Sequence, residues 1–170
     1  MTTVSKTPVQ VRIESSGGGQ ASKRRVEGEL YRTPTGASYV RYPEPDPTMG
    51  HTTTTVKWDG PEIRVLRHGE VKSDLTFVVG SRMSGSYWLP QADAAHTEAA
   101  PAPVLPRRSH TEGRILLESV TRDISIQERE AGPSLKWSYE LYADGRFTGL
   151  YKLRLDIQTL GTLDTSEPTN

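Results

Sequence analysis

One stretch near the C-terminal end constrains the fold more than any other. Leu135, Trp137, Tyr139 and Leu141 occupy alternate positions, with Lys136, Ser138 and Glu140 between them. After Asp144-Gly145 the pattern resumes: Phe147, Gly149, Tyr151, Leu153, Leu155 and Ile157 share one phase, while Lys152, Arg154, Asp156 and Gln158 share the other. A period of two places successive side chains on opposite faces of an extended strand, one dry and one wet. Asp-Gly between such runs marks a tight hairpin, because both residues tolerate the positive φ angles of that turn. The two runs are predicted to form an antiparallel pair.

The same pattern recurs along the chain. Strands are expected at 8–15, 24–33, 37–44, 50–58, 62–67, 71–79, 82–89, 113–127, 134–143 and 146–159, joined by short turns such as Thr35-Gly36, Asp59-Gly60 and His68-Gly69. Apolar residues repeat nowhere in these runs at helical spacing. A meander of this length leaves unpaired edges unless it closes on itself. The expected fold is therefore all-β, a single antiparallel barrel of about 8–10 strands with little helix. Only one face of each strand has to be apolar, which accounts for a hydrophobic fraction of 34% and a mean hydropathy of −0.59.

Three segments lie outside the pattern. Residues 1–7 and 161–170 are polar ends, and residues 90–110 carry prolines at 90, 101, 103 and 106, a density that prevents a stable helix. The expected organisation is a flexible N-terminus at 1–7, one barrel domain at 8–160 with a Pro/Ala-rich loop at 90–110, and a flexible tail at 161–170.

Charge and composition exclude several functions. Cysteine is absent, which removes disulfides, thiolate metal sites and thiol nucleophiles. Lys plus Arg equals Asp plus Glu at 21 each, so bulk positive potential for nucleic acid is missing and no nucleic-acid partner is expected. The start of the chain has no basic stretch followed by an apolar run, and no run approaches the ~18 apolar residues of a membrane helix. Lys and Arg in mid-strand would cost about 2–4 kcal/mol each against lipid. These features predict an apolar interior, a cytoplasmic location and no membrane contact.

Catalytic patterns are missing as well. Ser84-Gly85-Ser86 resembles a nucleophile elbow only superficially, and Gly17-Gly18-Gly19 lacks the Lys-Ser/Thr pair of a phosphate loop and reads as a hairpin tip. His51, His68, His96 and His110 include no pair at metal-binding helical spacing. Glu27/Glu29 and Glu128/Glu130 each share a strand face and read as solvated surface rather than a glycosidase dyad. The basic groups Lys23-Arg24-Arg25 and Arg107-Arg108 read as isolated patches, and Tyr31, Tyr39, Tyr42 and Arg41 form only a faint aromatic–basic surface. The sequence points to no catalytic residues, no metal and no cofactor, and hence to a protein that is not an enzyme.

One polar residue falls in an apolar phase. Ile63, Val65 and Arg67 point the same way, so an inward-facing strand carries the permanent charge of Arg67 toward the barrel interior. Thr53, Thr55 and Lys57 share a phase in the same manner. A buried guanidinium needs a partner or water. Arg67 either sits at the rim, paired with Glu44 or Glu70, or anchors an anionic ligand above a pocket lined by Tyr87, Trp137 and Tyr139. Two functions follow. The barrel binds a small, partly apolar or anionic ligand in or at its mouth, or it is a filled structural module that recruits a protein partner through 90–110 or an exposed edge. The oligomeric state is not readable.

Several short motifs, taken in order, resemble the YwiB-like proteins. These are Gly28-Glu29-Leu30-Tyr31, Tyr39-Val40-Arg41-Tyr42, Thr53-Thr54-Thr55-Val56-Lys57, Ile63-Arg64-Val65-Leu66-Arg67-His68-Gly69, Leu75-Thr76-Phe77-Val78-Val79-Gly80 and Gly113-Arg114-Ile115-Leu116-Leu117-Glu118. With the final strand pair they span residues 8–89 and 112–159. This small bacterial family, largely from Gram-positive species, has a calycin-like, lipocalin-type barrel and an uncharacterised activity. The resemblance implies a fold and a cytosolic location but no reaction. Segment 90–110 departs from it, being longer than the usual connection.

Overall fold

A computed structural model describes residues 4–88 and 114–160. Expectations that fall on 90–110, on 161–170 and on the first three residues lie outside the described residues, as do His96, His110, Arg107 and Arg108.

The described residues form ten antiparallel strands: β1 (Ser5–Gly17), β2 (Gln20–Arg32), β3 (Ser38–Pro43), β4 (Thr52–Asp59), β5 (Glu62–Gly69), β6 (Lys72–Phe77), β7 (Arg82–Trp88), β8 (Arg114–Arg129), β9 (Gly132–Ala143) and β10 (Arg146–Thr159). One 3-10 turn, Pro47–Met49, lies between β3 and β4. Each strand pairs with its neighbour in sequence, and β1 also pairs with β10, so the meander closes as a barrel. Closure removes every sheet edge, the liability that made a barrel the expected solution. The all-β barrel read from the alternation is the observed architecture.

The interior follows the period-two phase. Val9, Val11, Leu30, Val40, Val56, Trp58, Ile63, Val65, Phe77, Leu117, Leu135, Trp137, Leu141, Leu155 and Ile157 are buried in one cluster. Outward positions are charged and mostly paired across strands, as in Arg64–Asp74 at 2.8 Å and Arg82–Glu118 at 3.0 Å. The acidic residues read as surface behave so: Glu29 meets Lys6 at 3.2 Å and Glu128 meets Arg32 at 2.9 Å.

Three details differ from the sequence expectation. Phe147 is 59% exposed, not inward, because the pairing of β10 with β9 slips between Phe147 and Gly149. The extra residue of this bulge reverses the phase, so Phe147 rests edge-on against Tyr142 on the outside. Thr53 and Lys57 face solvent while Thr52, Thr54, Val56 and Trp58 point inward, so the phase of Thr53, Thr55 and Lys57 is simply the wet one. Finally, β1 begins at Ser5, inside the segment expected to be uncommitted, since Ser5 to Thr7 pair with Arg32 to Leu30 of the long β2.

Candidate functional site

The β1–β2, β3–β4, β5–β6 and β9–β10 turns lie at one end of the barrel, together with the last residue of β7 and the first of β8. The β3–β4 connection folds there by local capping. Asp46 Oδ1 accepts from the Thr48 backbone N–H at 2.9 Å and from its hydroxyl at 2.7 Å, and Pro47 supplies the fixed φ of a first helical position. The turn buries Met49, whose carbonyl accepts from the Thr52 hydroxyl at 2.6 Å. Glu44 on the same connection accepts from the Thr54 hydroxyl at 2.7 Å.

Beneath this connection lies a cavity of about 130 Å³. Its lining carries Arg24, Arg67 and Lys152 against Glu44 and Asp46, with the hydroxyls of Tyr42, Tyr87, Tyr139 and Tyr151 and an apolar wall of Leu75, Leu117, Leu141 and Leu153. Arg67 is 20% exposed and reaches Glu44, 10% exposed, with Nε 3.7 Å from Oε2. That is an ion pair without a hydrogen bond, and the Arg67 Nε–H has no acceptor. The Tyr151 hydroxyl is equally buried and unpartnered. Unpartnered buried polar groups are rare inside proteins; Ser73, Thr121 and Trp137 carry others elsewhere in the barrel, and those of Arg67 and Tyr151 border the cavity.

The electrostatics keep these groups in defined states. Burial opposes the charged guanidinium of Arg67, but Glu44 and then the oxygens of Tyr87, Tyr42 and Tyr139 outweigh it, so the net direction is upward and Arg67 stays cationic. Burial pushes the phenols of Tyr42, Tyr87 and Tyr139 up as well. They remain neutral hydrogen-bond donors at physiological pH. The arrangement offers three cations against two carboxylates, several neutral donors and an apolar wall, and this small positive excess is chemistry suited to holding a small anion.

The structure brings three of the four residues singled out in the sequence to this cavity, namely Arg67, Tyr87 and Tyr139. Trp137 points inward too, but it packs against Phe77 with ring centroids 5.9 Å apart and lies away from the cavity. Of the two partners considered for Arg67, Glu44 is the one it meets.

Arg24 is a cavity residue that the sequence reading missed. Taken as part of a surface run, it instead alternates inward between Lys23 and Arg25, lines the cavity and lies 3.9 Å from Asp46. The period-two phase of Ser22, Arg24, Val26 and Leu30 carried that information. Tyr42 also turns inward, while Tyr31 and Tyr39 stack outside at 4.6 Å beneath Arg41. Among the described residues no group of three or more His, Asp or Glu comes together that could hold a metal ion, and no helix is long and apolar enough to cross a membrane.

A closed ten-stranded barrel with a small, cationic, tyrosine-lined cavity at one end defines the class. The chain belongs to the family described as a domain of unknown function (DUF1934), which matches residues 8–97. No curated protein matches it. Its fold is similar to that of the ywiB protein from Bacillus subtilis, known from a crystal structure. The TM-score is 0.70 and the identity 20%, covering 92% of this chain and 94% of that one.

Proposed function

We propose that the chain is a non-enzymatic cytoplasmic binding protein whose barrel takes one small, partly apolar anion. The observation that carries this reading is the Arg67 Nε–H, buried beside the cavity with no acceptor. A carboxylate entering there would gain a charge-assisted hydrogen bond that Glu44, at 3.7 Å, does not supply. Size narrows the ligand. Drug-sized pockets run to about 300–1,000 Å³, whereas a cavity of 130 Å³ is on the scale that accepts a single aromatic ring. Long-chain lipids do not fit it, and a ring-sized monocarboxylate does.

A second reading is favoured by the other half of the interior. There Phe77 packs against Trp137 and against the cavity-lining Tyr139, with Phe77 and Tyr139 centroids 4.5 Å apart. On that reading the barrel is a filled scaffold for a protein partner. Native mass spectrometry of the protein purified from its own host, with benzoate titration by calorimetry, separates the two. A retained small acid, or benzoate binding that Arg67→Gln abolishes, supports the ligand reading. Bare protein with no heat of benzoate binding supports the filled scaffold.

A further inference from the structure

Cations on most of the barrel exterior are neutralised by a cross-strand partner or rest on an aromatic ring. Lys6, Arg32, Arg64, Arg82 and Arg122 each meet a carboxylate, and Arg41 and Arg114 lie over aromatic rings. Although Lys6 and Arg32 further along β1 and β2 obey this rule, one part of the wall departs from it, where β2, β1, β10 and β9 lie side by side. Their register sets two outward rows side by side, Arg25–Arg12–Asp156–Ser134 and Lys23–Glu14–Arg154–Lys136, with Lys152 and Ser138 in the row beyond. Arg12, Lys23, Arg25, Lys136 and Lys152 are exposed, and none of them forms an ion pair among the described residues. Arg154 adds a sixth positive charge, shared with Asp156 at 3.0 Å.

This face is also hollow. A depression of about 630 Å³ runs across it, lined by Lys23, Lys136, Lys152 and Arg154 with only Glu14 and Asp123 of opposite sign. Asp123 accepts from the Ser138 hydroxyl at 2.7 Å and keeps its charge, so four cations of the lining face two carboxylates. A neutral chain has therefore gathered an excess of positive charge on one concave face. We infer that this groove is a docking surface for an acidic protein segment, a run of Asp and Glu in extended conformation. Flexible ammonium groups set on neighbouring strands suit carboxylates spaced along such a segment, and the field over a concave cationic surface would steer it in. Single-stranded nucleic acid fits less well. It needs exposed rings for its bases, and Trp137, the aromatic residue of this lining, is 2% exposed and turned inward.

Fluorescence anisotropy of a labelled twelve-residue Glu/Asp peptide, titrated with the full chain at low and at physiological salt, tests the inference. The comparison proteins are Lys136→Glu/Lys152→Glu and the control Lys57→Glu/Lys72→Glu, whose charges lie on β4 and β6. All four side chains are exposed, and a thermal melt of each variant confirms that it is folded. Saturable binding is expected, weakened at least tenfold by the groove pair and less than twofold by the control pair, and weakened again by salt. Equal loss with both pairs, or no binding to wild type, overturns the groove. Binding of a single-stranded oligonucleotide in preference to the peptide overturns the partner.

Discussion

Arg67 shows how one residue joins sequence to function. Its inward phase was set by Ile63 and Val65, and the structure places its Nε 3.7 Å from Glu44 at the cavity. Removing one member of such a pair strands the other. Arg67→Met is expected to destabilise the fold by about 3 kcal/mol, the low end for breaking a buried pair, because Glu44 keeps its Thr54 hydrogen bond. Adding Glu44→Gln should recover most of that loss, and urea denaturation of the two variants measures both steps. Benzoate binding should not return with the stability, since the double variant still lacks the cation. Trp137 and Phe147 make a second contrast. Both fell in apolar phases, yet Trp137 is 2% exposed and Phe147 59%. Trp137→Ala should cost about 3–5 kcal/mol, as for other large core deletions. Phe147→Ser should change stability by no more than about 0.5 kcal/mol, as at ordinary surface positions. Thermal melts of the two variants decide whether the bulge turns Phe147 out.

At the level of strands, two interior glycines let neighbouring backbones approach. A Cβ at Gly28 in β2 would stand 2.4 Å from the Arg41 carbonyl oxygen and 2.9 Å from the Tyr42 Cβ. One at Gly85 in β7 would stand 2.4 Å from the Asp74 carbonyl oxygen. Neither glycine needs a positive φ, so the requirement is space where the sheet coils tightly, not backbone freedom. Gly28→Ala and Gly85→Ala should each destabilise by about 1–3 kcal/mol through overpacking. Loss of a denaturation midpoint shift in either variant would refute that account. Strand existence and order were legible in the alternation because a period of two is written locally. The bulge at Phe147/Gly149 was not, since it depends on which residue of β9 each residue of β10 meets.

For the whole barrel, stability should fall at both ends of the pH range. Burial raises the phenols of Tyr42, Tyr87 and Tyr139 in the folded state. A raised folded pKa contributes stability that is complete below the unfolded value of about 10 and is lost as pH rises beyond it. Tyrosinate absorbance followed through an alkaline titration should therefore contain a cooperative component that coincides with loss of the β-sheet circular dichroism signal. At the acid end, the hydrogen bond from Arg32 holds Glu128 below the usual carboxylate range. Asp156 is held below it by Ser134, Arg154 and Arg129, despite a burial that works the other way. A lowered folded pKa contributes stability present above about pH 4 and lost as pH falls through the folded value. Acid unfolding in dilute buffer should accordingly set in at higher pH in Glu128→Gln than in the wild type.

The sequence by itself determined the strands, the inward direction of Arg67 and, outside the bulge that turns Phe147 out, the wet and dry faces, because side-chain direction along an unbroken strand depends only on counting by two. It also contained the inward phase of Arg24, hidden inside a basic run. Only the tertiary structure decided that Glu44 and Asp46 meet the two guanidiniums, that Trp137 belongs to the packed half, and that the unpaired cations of β1, β2, β9 and β10 share one face. Each of these rests on register and closure between strands far apart in the chain. No local pattern encodes those pairings, and a net charge of zero conceals how the charges are distributed.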